Sequence, residues 1–530
     1  VFAWKDDIMI RPDAPHWLIQ EPCASYMEYL RRKGRSAIDE ARRRRPEEVV
    51  AELEHAGLRG RGGAGFPTGA KWRTTMLHEC STRFVVCNAA EGEPGTFKDR
   101  YLLRRDPYSM LEGLLVAAHV AGAEKTYVAM KASFVQELAR VRAAVEEMRI
   151  AGALGGVEVH VVEGPEEYLF GEERALLEVI EGNDPLPREP HYPPYERGLF
   201  ATPASPNPAI VNNVETFARA AEIVRHGAAS FRAIGTPDTP GPLLFTVSGD
   251  VARPGVYERA AGVTLRELVF DAAGGPRPGR SIKALLCGVS AAVIPADKLD
   301  TMADHAHLSL IGSALGSAGF VALDDAVSVP RVTQAVARFL YVESCNQCSA
   351  CKHGLRLAST ALDALFDPRT ATADDVVRAV DGAHHAPQAN RCYLPVQGSI
   401  LVPSLVRRFA AEFEAQVAAP TAAPSPWLVP KIIDFDEAKR TFFYDELAPR
   451  KLPNWTYEDA PAAPIDPASR SAPHPIKPAK PADLGAPLRT KTVHLSPDVR
   501  ESLARVVKDE AEVDAVVNDA LRAWLLDRGA

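Results

Sequence analysis

Hydrophobic and polar positions along the first half of the chain alternate between two periods. Helical spacing of Val49, Val50, Leu53 and Ala56 follows Pro46, a residue suited to a first helical turn. A second helix is expected around Trp72. Short apolar runs then read as strands at Arg83–Asn88, Thr126–Met130 and Val157–Val162, separated by helical patterns over Pro107–Ala123 and Phe134–Met148. Another helix begins near Tyr168–Arg174, with Glu172 and Glu173 in its first turn, where the helix dipole favours acids. Residues 184–208 are rich in proline and predict a long, mostly extended loop. Such alternation predicts a parallel sheet with helical crossovers over residues 46–240, preceded by an N-terminal extension, 1–45.

The pattern changes at 241. Leu243–Asp250 and Gly255–Glu258 read as a hairpin, Thr264 as the cap of a short helix over Leu265–Ala273, and Gly274-Gly275 as its stop. Residues 241–325 are expected to form a small α+β unit of β-grasp type, and 326–418 a helical bundle. From 419 to 488 proline and alanine dominate, which predicts an extended linker. Residues 489–530 carry a short strand followed by two amphipathic helices, the pattern of a ribbon-helix-helix module. Its charges nearly cancel, and the strand offers a groove only Lys491 and His494, so dimerisation or docking of a partner is expected there, not nucleic-acid binding.

Composition narrows the class. The 530 residues carry a net charge of −8, which gives no chain-wide signature of a nucleic-acid or membrane-surface protein. No apolar run reaches the roughly 18 residues that cross a bilayer. Eight cysteines in so long a chain are no disulfide scaffold. A cytoplasmic setting is expected.

Three stretches carry candidate chemistry. Gly57–Lys71 contains Gly60, Arg61, Gly62, Gly63, Gly65, Phe66 and Lys71. Glycines let backbone N–H groups approach a ligand and form an anion nest, and Arg61 and Lys71 add positive charge; the fitting ligand is a phosphate or a planar ring that bears one. The strand at Arg83–Asn88 opens into Asn88-Ala-Ala-Glu91-Gly92-Glu93, at the strand end where open α/β sheets bind ligands; Glu91 and Glu93 offer acceptors to ribose hydroxyls or a ring N–H. Val211-Asn212-Asn213-Val-Glu-Thr216 offers paired amides suited to a flavin edge or a phosphate. Further on, Cys345-x2-Cys348-x2-Cys351 sets three thiols on a loop entering a helix, and Cys392 is the only later cysteine. A [4Fe–4S] cluster with Cys392 as fourth ligand is favoured over zinc with His353. Cys23, Cys80, Cys87 and Cys287 are isolated and read as structural.

In order, these motifs, together with Gly171-Glu-Glu and Ser248-Gly-Asp-Val-Ala-Arg-Pro-Gly-Val-Tyr-Glu, resemble the flavin-bearing NADH subunit of respiratory complex I. They also resemble the diaphorase subunits of NAD-linked formate dehydrogenases and NAD-reducing hydrogenases. The resemblance runs from about Gly57 to about Phe413. It implies FMN on Gly60, Arg61, Gly62, Gly63, Lys71, Val211, Asn212, Asn213 and Thr216, with Asn88, Glu91, Gly92, Tyr168, Gly171 and Glu172 lining the ring. It implies NAD(H) at Phe66, Glu93 and Glu173, a soluble-ligand-binding domain at 241–325, and a cluster on Cys345, Cys348, Cys351 and Cys392. The implied function is hydride exchange between NAD(H) and FMN, with single electrons passed to the cluster inside a larger complex. A thioredoxin-like [2Fe–2S] subunit and a further iron–sulfur or catalytic subunit are the implied partners. Ala90, Thr74 and the absence of lysine near Pro190–Pro194 depart from the pattern of the complex I subunit. They motivate an alternative, an electron-relay or scaffold subunit with a degenerate flavin site.

Overall fold

A computed structural model describes residues 17–18, 21–189, 192–420 and 427–457. All of them lie in one compact unit, 1–476; residues 477–530 form a second unit outside the described set. The ribbon-helix-helix pattern at 489–530 and the last part of the expected linker, 458–488, therefore lie outside the described residues.

Helices α1 (Tyr26–Lys33), α2 (Ala37–Arg42), α3 (Pro46–Ala56) and α4 (Thr68–Leu77) precede the first strand, β1 (Phe84–Asn88). Then come α5 (Lys98–Arg105), α6 (Pro107–Ala121), β2 (Lys125–Lys131), α7 (Val135–Ile150), β3 (Glu158–Gly164) and α8 (Glu173–Ile180). The layer closes with β4 (Ala209–Asn213), α9 (Val214–His226) and α10 (Ala228–Arg232). The four strands form a parallel sheet in the order β3-β2-β1-β4. Successive crossovers step outward from β1 through β2 to β3, and β4 then returns to the other side of β1. The strand order thus reverses between β1 and β4, and open parallel sheets bind ligands at the carboxyl ends flanking such a reversal. Asn88 and Asn213 are in register at those two ends.

Two features of this layer differ from the sequence expectation. The N-terminal extension is not an appendage, because Tyr26, Tyr29, Ile38 and Ala41 are buried in the same core as α3, α6 and α9. Tyr29 and Glu112 are both hydrogen-bonded to Arg225, deep in that core. Lys98–Arg105, to which no element was assigned, is a helix whose Lys98, Asp99 and Arg100 are all buried.

The second layer contains β5 (Pro242–Gly249), β6 (Gly255–Ala260), β7 (Ile282–Cys287), β8 (Ile294–Pro295), α11 (His305–Leu310) and β9 (Gly319–Asp324). Its mixed sheet has the order β6-β5-β9-β7-β8, parallel only between β5 and β9. The helix expected at Leu265–Ala273 spans 265–272, and its last six residues, Glu267–Ala272, are π-helical. Thr264 does cap it: its hydroxyl accepts from Glu267 N–H at 3.1 Å, and its own N–H donates to the Glu267 carboxylate at 2.8 Å. A buried ion pair, Arg219 to Glu258 at 2.6 Å, joins α9 to β6.

Helices α12 (Val329–Glu343), α13 (Ser349–Ala364), α14 (Ala373–His385), α15 (Leu394–Arg408) and α16 (Ala410–Ala418) form the bundle. The chain beyond it corrects the linker expectation. Residues 427–457 contain a hairpin, β10 (Ile432–Asp436) and β11 (Thr441–Tyr444), and then run back across the bundle. Phe435 and Phe442 enter the first core, and Trp455 enters the core of the bundle. The linker expectation extends the proline- and alanine-rich composition of the flanking stretches across a segment that is itself rich in aromatics, and those that are buried fix it.

Helices α6 and α9 approach most closely at Gly113, where an added Cβ would lie 1.9 Å from the Phe217 carbonyl oxygen. Both helices are buried and neither can yield without moving a strand. Gly113→Ala is expected to cost about 3 kcal/mol or more, read as a lower thermal unfolding midpoint. An unchanged midpoint would contradict this packing.

Candidate functional site

The glycine loop closes on itself before α4. Gly60 N–H donates to Phe66 O at 2.8 Å, and Thr68 N–H donates to Leu58 O at 2.8 Å. Arg61 N–H donates to the Thr216 hydroxyl at 2.8 Å, which ties the loop to the first turn of α9. Gly62 lies against Asn213, where a Cβ would come within 3.2 Å of the Asn213 Cβ; Gly63, at φ 128°, has open space around it. On the other side, Gly65 rests on His305 of α11, whose ring would be 2.5 Å from an added Cβ. Burial and the nearby Arg61 and Arg59 push the His305 pKa down to about 4.

The asparagines are largely occupied by the fold. Asn212 accepts from the Trp72 indole at 2.9 Å, and Asn213 caps α9 through Glu215 N–H at 3.0 Å. Val211 contributes its carbonyl, which accepts from Lys71 Nζ at 3.0 Å. Asn88 donates to Gly171 O at 2.8 Å, so β1 fixes the turn that precedes α8. Glu91 is turned away from the loop mouth. It accepts from Asp99 N–H at 2.9 Å and from Arg100 Nε at 2.8 Å, and so serves the N-terminus of α5. Glu172 caps α8 through Arg174 N–H at 3.0 Å and Ala175 N–H at 2.9 Å, and burial raises its pKa. Glu173 is half-exposed and 3.4 Å from Lys71. Phe66 is half-exposed, with Lys71 Nζ 5.8 Å from its ring centre.

Glu93 and Tyr168 meet directly. The Tyr168 hydroxyl donates to the Glu93 carboxylate, whose other oxygen accepts from Val289 N–H at 2.8 Å. Burial raises the Glu93 pKa above the usual carboxylate range. Two residues that sequence reasoning missed complete this contact. Gln397 of α15 donates to the Tyr168 hydroxyl at 2.8 Å, while its own Oε1 is buried without a partner. Lys131, at the carboxyl end of β2, places its Nζ 3.1 Å from where a Cβ on Gly92 would stand. Burial, with Lys431 and Arg100 nearby, lowers the Lys131 pKa to about 8. Only the position of Lys131 at a strand end could have marked it; Gln397 lies too far along the chain for any local signal.

The four expected cluster cysteines do come together. Cys345, Cys348, Cys351 and Cys392 line one cavity, together with Leu169 and Arg391. Asn346, at φ 64°, turns the loop between the first two; Asn tolerates this left-handed conformation. Burial and the neighbouring sulfurs push the Cys351 thiol up to about 12 and raise Cys345 and Cys392 as well, so holding them as thiolates calls for bound cations. Among the described residues no group of three or more His, Cys, Asp or Glu is gathered closely enough for one metal ion. Four cysteine thiols around one cavity are the donor set that a [4Fe–4S] cluster takes. The cysteine set therefore fits a [4Fe–4S] cluster. The glycine loop likewise fits a phosphorylated ring. Arg61 keeps Nε and Nη1 buried without partners, Gly62 and Gly63 leave a cradle without side chains, and α9 begins beside it.

Comparison with known proteins agrees with both readings. Residues 53–222 match the Nuo51 FMN-binding domain, residues 244–284 the SLBB domain, and residues 331–416 the NADH-ubiquinone oxidoreductase-F iron-sulfur binding region. The chain is 43% identical over 320 residues to the second of the F-type NADH-quinone oxidoreductase subunits of Rhizobium meliloti (strain 1021), covering 58% of this chain and 75% of that protein. It is 35% identical over 348 residues to the F-type NADH-quinone oxidoreductase subunit of Aquifex aeolicus (strain VF5), covering 64% and 79%. The chain therefore belongs to the NADH-quinone oxidoreductase-F family. Among solved structures it resembles the NAD+-reducing [NiFe]-hydrogenase in its air-oxidized state, with a TM-score of 0.64 and 36% identity over 70% of this chain and 63% of that one. The H2-reduced state of that enzyme gives a TM-score of 0.66 at 33% identity, over 79% and 68%. FMN and a [4Fe–4S] cluster are the cofactors of the present chain and NADH is its substrate. Among the described residues no helix is long and apolar enough to cross a membrane.

His305 yields a pH prediction. A depressed pKa means the unfolded chain binds its proton first, so its contribution to stability is complete above about pH 6.5 and is lost as pH falls toward 4. His305→Gln is expected to flatten the acid limb of a thermal stability profile between those values; an unaltered profile would contradict the burial of a neutral imidazole against Gly65.

Proposed function

We propose that the glycine loop and the reversal at β1 and β4 hold FMN, and that Cys345, Cys348, Cys351 and Cys392 hold the cluster. The chain would then be the diaphorase-type subunit of a larger oxidoreductase. One pair of residues carries this reading: Tyr168 reaches Glu93 on the flavin side, while its neighbour Leu169 lines the cysteine cavity. Adjacent residues of one turn would then face the two sites. Glu172 and Arg174 form a second link, since Arg174 donates both to Glu172 and to the carbonyl of Arg391, beside Cys392.

When bound, FMN exchanges a hydride with NAD(H) and releases electrons singly to the cluster. The protein positions these groups. Lys71, Arg61 and the α9 N-terminus would neutralise the flavin phosphate, and Gly62 and Gly63 would let it approach the backbone. Asn88 holds Gly171 in place, and Gly92 would let the loop backbone approach the ring. Glu93, Phe66 and Glu173 would face the dinucleotide at the mouth. Buried and bonded to Tyr168 and Val289, Glu93 offers a fixed acceptor.

Membership of a multisubunit assembly follows from the chemistry, because electrons delivered to the cluster must leave. Cys23, Cys80, Cys87 and Cys287 lie apart from the cluster cavity, which supports a separate thioredoxin-like [2Fe–2S] subunit and a further iron–sulfur or catalytic subunit as recipients. The SLBB-matched layer would be a β-grasp domain with a structural role, and the C-terminal module would dimerise or dock a partner.

Anaerobic titration of the purified protein tests this. NADH is expected to bleach a flavin band, and Cys348→Ser to lose the cluster absorbance while keeping that bleaching. Folded protein with cluster absorbance but no flavin would overturn the flavin assignment and leave the relay alternative.

A further inference from the structure

Lys131, the last residue of β2, is a buried cation without an anion in contact. It is 2% exposed, and its one hydrogen bond among the described residues runs to the Glu166 carbonyl at 3.2 Å. The charged groups that face it are matched elsewhere. Arg100 pairs with Glu91 at 2.8 Å, Lys431 with Asp445 at 3.0 Å, and Glu343 with Lys451 at 2.9 Å. Arg104 pairs with Glu137 at 2.5 Å and with Asp434 at 2.8 Å. The Glu166 carboxylate accepts from the Ser133 N–H and hydroxyl, at 3.0 and 2.7 Å, and Glu93 is held by Tyr168 and Val289. Glu167 lies 4.0 Å from Lys451. Lys98 of α5 gives the contrast. It is as deeply buried, but Asp99 at 2.7 Å and Glu215 at 3.1 Å raise its pKa despite burial, whereas burial lowers that of Lys131 to about 8.

A buried ammonium without an anion costs free energy, so packing alone does not account for it. Its surroundings do. The space that a side chain on Gly92 would fill is bounded by Lys131 Nζ, 3.1 Å from the Cβ position, and by the Tyr168 ring, 3.5 Å from it. The charge therefore stands beside the residue at which the loop backbone would approach the flavin ring. A flavin that accepts a hydride gains two electrons and one proton, and so one negative charge. A fixed cation in a low-dielectric site favours that charge most when no carboxylate cancels it.

We propose that Lys131 is an electrostatic residue of the flavin site, whose unpaired ammonium beside Gly92 stabilises the negative charge of the reduced flavin and raises its midpoint potential. This rests on the flavin reading above. Lys71 and Arg61 serve a phosphate whose charge is present in both redox states, so they favour neither. Lys131 interacts more strongly with the reduced state than with the oxidised one, which is the condition for setting a potential.

The test is an equilibrium redox titration of the flavin-loaded protein and its variants, with thermal unfolding alongside. Lys131→Met is expected to shift the two-electron equilibrium of the flavin at least tenfold toward the oxidised form, a fall of about 30 mV. Flavin content and the cluster midpoint should hold, and the unfolding midpoint should stay at or above the parent's, because an unpaired buried charge has been removed. Lys131→Arg keeps the charge and should keep the parent's flavin midpoint. Below about pH 8 the gap between the parent and Lys131→Met should be full, and it should close as pH rises further and the lysine loses its proton. The gap between Lys131→Arg and Lys131→Met should persist, since a guanidinium stays charged. An unshifted flavin midpoint in Lys131→Met overturns the proposal, as does an equal fall in Lys131→Arg. Loss of flavin or a lower unfolding midpoint in Lys131→Met also overturns it, making the lysine a binding or structural group. Folded parent protein that carries no flavin marks failure of the flavin reading itself, a result distinct from these.

Discussion

Tyr168 is the point on which the rest of the site depends. Its backbone N–H donates to Glu343 at 3.0 Å, its ring meets Phe339 edge-on with centres 5.4 Å apart, and its hydroxyl sits between Glu93 and Gln397. Phe339 and Glu343 belong to α12, Gln397 to α15, and Glu93 to the loop after β1. Glu343 is itself buried and held by Lys451 at 2.9 and 3.0 Å. A buried carboxylate without its cation is strongly destabilising, on the order of 3–5 kcal/mol in comparable pairs. The position of one tyrosine is thus set by the bundle and by the returning C-terminal segment more than by its own sheet.

That returning segment explains how the parts act as one unit. Pro430 O accepts from Gly95 N–H at 2.7 Å and Ile432 O accepts from Arg100 at 2.8 Å, so it braces the loop that carries Glu91 and Glu93. Further along, Pro453 O accepts from Lys352 at 3.0 Å, one residue from Cys351, and the Trp455 indole donates to Val342 O at 2.9 Å. A single stretch of chain therefore touches both the flavin-side loop and the helix that enters the cysteine loop. Its anchors lie beyond the stretch that matches the iron-sulfur binding region.

Much of this was legible in the sequence. Apolar runs and helical patterns located β1 to β3 and α3, α4, α6 and α7, whereas β4, short and followed by polar asparagines, was not read as a strand. The cysteine spacing marked four thiols that line one cavity, and the glycines marked a loop with a cradle free of side chains. Helix α5 was not legible because its polar residues are satisfied internally: Arg100 pairs with Glu91, and Lys98 with Asp99 and Glu215. The segment at 427–457 was hidden by the proline- and alanine-rich stretches on either side of it. Gln397 gave no signal, since it finds its partner more than one hundred residues away. Glu91 illustrates the converse: the sequence offers it as an acceptor for a ligand, yet its carboxylate is committed to a helix N-terminus.

The central claim is that the bundle fixes Tyr168 and through it the face offered to the flavin. Gln397→Leu tests it most directly, because it removes the amide that orients the Tyr168 hydroxyl without touching a cysteine or the glycine loop. An equilibrium redox titration would follow the flavin band and the cluster band in the same sample. The account predicts a shifted flavin midpoint with the cluster signal retained at full intensity. An unshifted flavin midpoint in a variant that keeps both cofactors would show that Tyr168 does not depend on the bundle, and would contradict it.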